Sequence, residues 1–242
     1  RKGLARKAFQ HVAVYDTAVA TYLADGDLLS HEALTLAFRR VATQRYGENP
    51  HQRGALYADP MRSGGIAAAR QLQGKELSFN NILDADAAWT AVTDFSQPAA
   101  VVIKHTNPCG LAVDPDQPTA YRRAFEGDPV SAYVGIVGFN RPVSAATAEA
   151  MRGVFYEVLV APGFEPDALK TLARRQDLRV LQVAPLGGLA PRLDVRTVSG
   201  GALVQTADTA TDDPASWRVV TEGRPTDRQM ADLAFGWRVA KH

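Results

Sequence analysis

The sequence predicts an α/β protein. Short apolar runs alternate with amphipathic stretches between residues 66 and 183, at the spacing expected of strands connected by helices. Residues 99–103 form an apolar run ending in β-branched side chains, which is typical of a strand buried on both faces. The hydrophobic fraction of 46% and the charged fraction of 22% are ordinary for a globular chain. We therefore expect a sheet that is largely parallel in its middle part.

The N-terminal elements are predicted from periodicity. Apolar residues recur at helical spacing, so residues 3–24 are predicted to form an amphipathic helix that Gly26 ends. Leu34, Leu36 and Phe38 alternate with other residue types, which favours a strand. A polar loop follows at residues 45–52. Its Arg, Tyr, Asn and His side chains suit ligand binding, although Gly47 and Pro50 alone would explain a plain turn.

A helix is predicted over about residues 82–95, capped by an Asn of the Ser-Phe-Asn-Asn segment before it. Asp84 and Asp86 are interpreted as charges at the start of this helix, because no His or Cys lies at the spacing of metal ligands. After the strand at 99–103, Asn107-Pro108-Cys109-Gly110 is predicted to turn the chain.

The remaining elements are predicted in order. They are helix 119–125, a loop at 128–133 suited to ligand binding, strand 134–139, helix 144–153, strand 155–160, helix 166–176, strands 179–183, 194–198, 202–206 and 217–221, and a final helix capped by Thr226. We expect the apolar face of that final helix, Met230, Leu233, Ala234 and Trp237, to remain exposed.

Composition excludes several classes of function. A net charge of +1 gives no electrostatic basis for binding nucleic acid or a membrane, and no apolar run approaches the length of a membrane span. The single cysteine, Cys109, cannot form an internal disulfide and fits a reducing, cytoplasmic compartment. Pro108-Cys109 is reminiscent of zinc deaminases, but Ala112 stands where their second cysteine falls, so no metal site is predicted. Phosphate-binding loops and dinucleotide fingerprints do not occur in the sequence.

Lys104 and His105 directly follow the central strand, where ligands commonly bind in open α/β sheets. An imidazole can move protons near neutral pH, and an ammonium can stabilise a developing negative charge. A surface lysine beside a histidine that satisfies a loop carbonyl is the alternative. The pair and the Arg-rich loop together suit an anionic, phosphorylated small molecule.

Four motifs occur in the order found in one family: Arg45-Tyr46-Gly47-Glu48-Asn49-Pro50-His51-Gln52, Leu72-Gln73-Gly74-Lys75-Glu76-Leu77-Ser78-Phe79-Asn80-Asn81, Lys104-His105-Thr106-Asn107-Pro108-Cys109-Gly110 and Asp128-Pro129-Val130-Ser131-Ala132-Tyr133. With them the whole chain resembles the bifunctional purine-biosynthesis family (PurH type), which joins AICAR transformylase to IMP cyclohydrolase. The resemblance implies residues 1–30 as the helical tail of the cyclohydrolase domain. Residues 31–242 then correspond to the first cytidine-deaminase-like subdomain of the transformylase, a layered α/β unit with a mixed sheet.

The resemblance also implies the chemistry. The 5-amino group of AICAR, an aminoimidazole carboxamide ribotide, attacks the formyl carbon of the co-substrate 10-formyltetrahydrofolate. His105 would take the proton from the amine, and Lys104 would support the transition state. The nucleotide-binding positions implied are Arg45, Tyr46, Gln73, Asn107 and Glu157. Lys7 matches a cyclohydrolase lysine, although a solvated helix lysine is the better interpretation here. The family further implies a cytoplasmic homodimer.

Two departures from the family pattern limit these expectations. Val134 stands where a glycine is usual, and valine adopts a positive φ only at a cost, which puts a nucleotide contact there in doubt. The chain begins at Arg1 and ends at His242 in a helical pattern, so we expect it to be a piece of a longer enzyme that is inactive alone. A nucleotide-binding fragment without catalysis, or a divergent dimerisation domain, are the alternatives to an enzyme.

Overall fold

The computed structural model describes residues 1–24, 27–188, 192–211 and 213–242. These residues form a mixed α/β structure, as predicted. The helices are α1 (Lys2–Leu23), α2 (Phe79–Thr93), α3 (Gln117–Glu126), α4 (Pro129–Ala132), α5 (Ala145–Ala150), α6 (Pro166–Leu172) and α7 (Asp227–Ala240). The strands are β1 (Arg39–Gln44), β2 (Gly54–Ala58), β3 (Arg62–Ser63), β4 (Arg70–Gln73), β5 (Ala99–Lys104), β6 (Asn107–Val113), β7 (Ile136–Phe139), β8 (Val158–Ala161), β9 (Arg179–Gln182), β10 (Gly187–Gly188), β11 (Leu193–Val198) and β12 (Gly201–Thr206).

The central sheet has six strands in the order β4-β9-β8-β7-β5-β6. Strands β7, β8 and β9 are parallel, whereas β4, β5 and β6 each run antiparallel to their neighbours. The register places Ile103 of β5 beside Ile136, and Ile136 beside Val158. The carboxyl end of β5 therefore lies at the amino ends of the three parallel strands.

Helices cover both faces of this sheet. On one face, the fully buried Ala85, Ala88 and Val92 of α2 pack on alternate residues of the strands, such as Val101. On the other face, α3, α5 and α6 cover the intervening residues, such as Val102. Both faces of β5 are thus buried, which confirms the interpretation of residues 99–103.

A glycine brings α2 unusually close to the sheet. A Cβ on Gly138 of β7 would lie 2.9 Å from the carbonyl oxygen of Ala88, closer than real Cβ atoms approach backbone oxygen. The absence of that atom lets the helix backbone rest directly on the strand. Helix α2 is consequently a rigid support beside β5.

Several predicted elements were wrong or displaced. Residues 34–38 form no strand, because they pair with no neighbouring strand, and β1 begins at Arg39. Residues 217–221 form no strand either. Asn107–Gly110 is not a turn but the start of β6, since the chain reverses two residues earlier. The predicted loop at 128–133 contains α4, whose N-terminus is capped by Asp128.

Helix α2 begins earlier than predicted, and its N-cap is Ser78 rather than an Asn. The Ser78 hydroxyl accepts from the backbone N–H of Asn81, whose side-chain oxygen accepts from the N–H of Ser78 in return. Asp84 and Asp86 therefore lie beyond the first turn, and their interpretation as charges at the helix start was wrong. The cap of α7 at Thr226 is confirmed by the same reciprocal arrangement with Gln229.

The peripheral elements are much more exposed than the sheet. Thr17 is buried on α1, whereas Leu4, Phe9 and Tyr22 are each more than 70% exposed. On α7, Leu233 and Trp237 are exposed as expected, whereas Met230 and Ala234 are half-buried. Gly26, the predicted end of α1, falls outside the described residues. Among the described helices, none combines the length and the hydropathy needed to cross a bilayer.

Candidate active site

The β5–β6 hairpin presents Lys104 and His105 at its tip. Lys104 pairs with Asn107 across the hairpin, so the turn consists of His105 and Thr106 alone. Both turn residues have positive φ, 54° and 62°, the pattern of a type I′ turn. His105 is exposed at the turn, while Lys104 stays half-buried at the strand end.

Hydrogen bonds hold this turn from two sides. The Thr106 hydroxyl and the Asn107 amide both donate to the His105 carbonyl oxygen, at 2.7 and 2.8 Å. The backbone N–H of Thr106 donates to Asp84 Oδ1 of α2, at 2.7 Å. Lys104 Nζ lies 3.3 Å from the carbonyl oxygen of Tyr133 and donates to it. The turn is therefore tied to α2 through the Thr106 N–H, and the Lys104 ammonium is tied to the residue that follows α4.

Arg45 and Tyr46 form a stacked pair after β1. The guanidinium carbon lies 4.9 Å from the centre of the Tyr46 ring, and Arg45 Nη2 donates to the Tyr46 hydroxyl at 3.3 Å. Such stacking reduces the freedom of the guanidinium without using all of its five donors. The pair can therefore offer a phosphate a charged, bidentate partner.

Glu157 stands immediately before β8, at the same edge of the sheet as the tip of the hairpin. Its Oε2 accepts from Asn81 Nδ2 at 2.7 Å and lies 3.7 Å from Arg179 Nη1. Arg179 is in turn oriented by donating from Nε to the Glu76 carbonyl oxygen at 2.9 Å. Among the described residues, we find no donor to Oε1 of Glu157, so this oxygen can accept hydrogen bonds from a ligand.

These groups share one cleft of about 680 Å³. It is lined by Arg45, Tyr46, Lys75, Glu76, Leu77, Ser78, Asn80, Asn81, Asp84, Lys104, His105, Val134, Ile136, Glu157 and Arg179. Its volume is within the range of small-molecule sites. Its lining includes the cations Arg45, Lys75, Lys104 and Arg179 and the carboxylates Glu76, Asp84 and Glu157, so the cleft suits a ligand with an anionic end and neutral hydroxyl or amide groups.

Three predicted site residues do not line this cleft. Gln73 directs its amide nitrogen to the carbonyl oxygens of Arg175, Leu172 and Leu178, at 2.8, 3.0 and 3.3 Å, which holds a loop inside the fold. Asn107 supports the His105 carbonyl and remains exposed. Lys7 is an exposed residue of α1. The assignments of Gln73 and Asn107 to nucleotide binding, and the match of Lys7 to a cyclohydrolase lysine, stay predictions.

Val134 borders the cleft in a conformation that valine seldom adopts. Its φ is +68°, and its N–H donates to the Phe155 carbonyl oxygen at 3.0 Å. The backbone thus takes the positive φ that a glycine would take without strain, although a β-branched residue there is costly. The valine side chain is about one-third exposed beside Ile136.

Two titratable groups near α4, Asp128 and Cys109, have shifted pKa values. Hydrogen bonds from the side chain and backbone of Ser131 lower the pKa of Asp128, and the nearby Lys104 ammonium adds to the effect. Burial raises the pKa of the Cys109 thiol, which the charge of Asp128 also disfavours as a thiolate. Cys109 is therefore a poor nucleophile at neutral pH. Within the described residues, no cluster of His, Cys, Asp and Glu could hold a metal ion.

Sequence reasoning missed Arg179 and misinterpreted Asp84. Arg179 opens a strand more than seventy residues beyond the hairpin, and no local motif marks it. Asp84 follows the Ser-Phe-Asn-Asn segment by three residues. This position indicates a contact with the catalytic turn only when the location of the hairpin is known.

The chain was compared with models of protein families. The family model described as AICARFT/IMPCHase bienzyme matches residues 1–242, which is the whole chain.

Proposed function

The chain belongs to the AICARFT/IMPCHase bienzyme family of multifunctional purine-biosynthesis enzymes, and we propose that its own cleft serves the formyl transfer. The substrates are AICAR and 10-formyltetrahydrofolate, and the products are formyl-AICAR and tetrahydrofolate. The observation that carries the proposal is the convergence of Lys104, His105, Arg45, Tyr46 and Glu157 on one cleft from three separate segments.

The reaction needs one proton removed and one leaving group released. The 5-amino nitrogen of AICAR forms a bond to the formyl carbon, and the bond from that carbon to the folate nitrogen breaks. His105 takes the proton from the attacking amine, because its imidazole is exposed at the tip of the hairpin. The folate nitrogen leaves with a proton, so the histidine returns to its neutral form.

Lys104 is suited to electrostatic stabilisation rather than proton transfer. Its ammonium is half-buried at the strand end and held 3.3 Å from the Tyr133 carbonyl oxygen. A fixed positive charge there stabilises the oxyanion that develops on the formyl oxygen. A planar guanidinium would not occupy the same point, so we expect Lys104→Arg to lose more than threefold in turnover.

The nucleotide is held by the walls of the cleft. Arg45, oriented by its stacking on Tyr46, binds the phosphate. Glu157, fixed by Asn81, accepts hydrogen bonds from the sugar hydroxyls through Oε1. The proposal includes a homodimer, for which the exposed apolar residues Leu4, Phe9 and Tyr22 of α1 offer contact surface. Sedimentation equilibrium that gives only monomer at micromolar concentration would contradict this part.

The test separates binding from chemistry. General-base catalysis contributes about 10²–10⁴-fold, so His105→Ala should lose that factor in single-turnover formyl transfer and keep its AICAR affinity within about tenfold. The matched control is His31→Ala, an exposed histidine outside the cleft, which should behave as the wild type. Near-normal turnover of His105→Ala would refute the assignment. AICAR binding without any turnover by the wild-type chain would favour a nucleotide-binding role without catalysis.

A further inference from the structure

The composition of the catalytic turn is unfavourable for its shape. A two-residue turn with positive φ at both positions is most often Asn-Gly, because glycine adopts this region freely. Here the two positions are His105 and Thr106, and Thr106 is β-branched at φ 62°. A turn of this composition relaxes unless the surrounding structure holds it. The contacts of the turn with neighbouring elements therefore determine whether it keeps this shape.

Most of the hydrogen bonds at the turn are local. The Thr106 hydroxyl and the Asn107 amide both act on the His105 carbonyl oxygen, within three consecutive residues. Such bonds move with the turn and do not fix its position relative to the cleft. The bond from the Thr106 N–H to Asp84 Oδ1, at 2.7 Å, joins the turn to a different element.

Asp84 stands on a helix that packs closely on the central sheet. It lies in the middle of α2, next to Ala85, which is fully buried against the sheet. The close approach of Ala88 to Gly138 fixes the same helix on β7. The carboxylate is thus carried by a frame that cannot shift independently of β5 and β7.

We propose that Asp84 is the positioning residue for His105: by accepting the Thr106 N–H it holds the strained turn in the one conformation that directs the imidazole into the cleft. This inference rests on the proposed function, and it goes beyond it by assigning a role to a residue that need not touch either substrate. It concerns the hydrogen-bond acceptor and not the negative charge.

Three variants distinguish a role of Asp84 as hydrogen-bond acceptor from a role of its negative charge. Asp84→Ala removes the acceptor, whereas Asp84→Asn keeps an oxygen acceptor and removes the charge. The matched control is Asp86→Asn, on the same helix, whose carboxylate faces Arg192 at 3.4 Å and does not line this cleft. Because misplacing a reacting group by about 1 Å can cost about 10²-fold, we expect Asp84→Ala to lose about ten- to a hundredfold in kcat. KM for AICAR should stay within threefold, since Arg45, Tyr46 and Glu157 lie on other elements.

Asp84→Asn should recover kcat to within about fivefold of the wild type, and Asp86→Asn should match it. A kcat of Asp84→Asn as low as that of Asp84→Ala would overturn the proposal, because the charge would then be the essential property. An unchanged kcat in Asp84→Ala would overturn it as well.

Amide hydrogen exchange on the ligand-free protein tests the anchor without activity. The Thr106 N–H should lose at least tenfold in protection in Asp84→Ala and keep it in Asp84→Asn. Equal protection in all variants would show that the hydrogen bond does not hold the turn. If the wild type fails to transfer formyl groups, the proposed function fails, while the exchange result still decides whether Asp84 anchors the turn.

Discussion

Asn140→Ala should destabilise the protein severely, because the buried Asn140 side chain joins the end of β7 to the segment that connects α2 with β5. Asn140 follows β7 and is 9% exposed. Its Oδ1 accepts from the Ala99 N–H at 2.8 Å, where β5 begins. Its Nδ2 donates to the carbonyl oxygens of Phe95 and Gln97, at 2.7 and 2.8 Å, just after α2.

The magnitude follows from the three partners that alanine would leave behind. Each buried polar group that loses its partner costs about 1–3 kcal/mol, and water can reach some of the vacated space beside Gln97. We therefore expect a loss of about 3–4 kcal/mol from the free energy of unfolding. That is a large part of the roughly 5–15 kcal/mol that stabilises a typical domain.

Urea denaturation followed by circular dichroism measures this loss, provided that the m-value is unchanged. Asn140→Asp is the informative second variant, since it keeps an acceptor for the Ala99 N–H but loses both donors, and it should be at least as unstable. The control is Asn49→Ala, an exposed residue that bonds to Gln52, which should cost less than about 0.5 kcal/mol. A loss below about 1 kcal/mol in Asn140→Ala would refute the argument from buried hydrogen bonds.

The central strand and its polar corner were predictable because their signal is local. The β-branched run ending at Ile103 can be buried on both faces only inside a sheet, and Lys104 and His105 follow it directly. The same holds for the alternation from β7 to β9. Local pattern, burial and chemistry agree there, so sequence reasoning is sufficient.

Strand direction was not available from the same pattern. A strand buried on both faces has the same composition whether it runs parallel or antiparallel, and β5 runs antiparallel to β7. The site consequently lies at the amino ends of the parallel strands, where Val134, Glu157 and Arg179 meet the hairpin. In open sheets, ligands generally bind at the carboxyl ends of the strands. This rule correctly locates Lys104, at the carboxyl end of β5. It does not locate Val134, Glu157 and Arg179, which lie at the amino ends of their strands.

The partners of some side chains could not be predicted because they lie far away in the sequence. Gln73 belongs to a motif of polar residues, yet its amide is directed to carbonyl groups about a hundred residues away in sequence. The carboxylate of Asp84 was assigned to the helix dipole because its real partner, the Thr106 N–H, lies in another element. Such contacts depend on tertiary placement, which spacing along one chain does not contain.

Two predictions concern carboxylates and pH. Although burial raises the pKa of Asp94, hydrogen bonds from Lys241 and His242 lower it overall, so its stabilising contribution is present above pH 4 and disappears as pH falls through the lowered pKa. Asp94→Asn should therefore be less stable than the wild type at pH 6 by about 1 kcal/mol, and the difference should vanish near pH 2 in urea titrations; a constant difference would contradict this. Asn81→Asp keeps the oxygen that accepts from the Ser78 N–H but places a second carboxylate where Nδ2 now lies 2.7 Å from Glu157 Oε2. Two carboxylates at that distance cannot both ionise without cost, so the folded state raises the pKa of one of them above its unfolded value. The deficit of the variant must then grow as pH rises, from less than about 1 kcal/mol at pH 4 to about 2–3 kcal/mol at pH 7. Asn80→Asp, exposed on the same first turn, should show no such slope, and a deficit in Asn81→Asp that is independent of pH would mean that Asn81 does not contact Glu157 in solution.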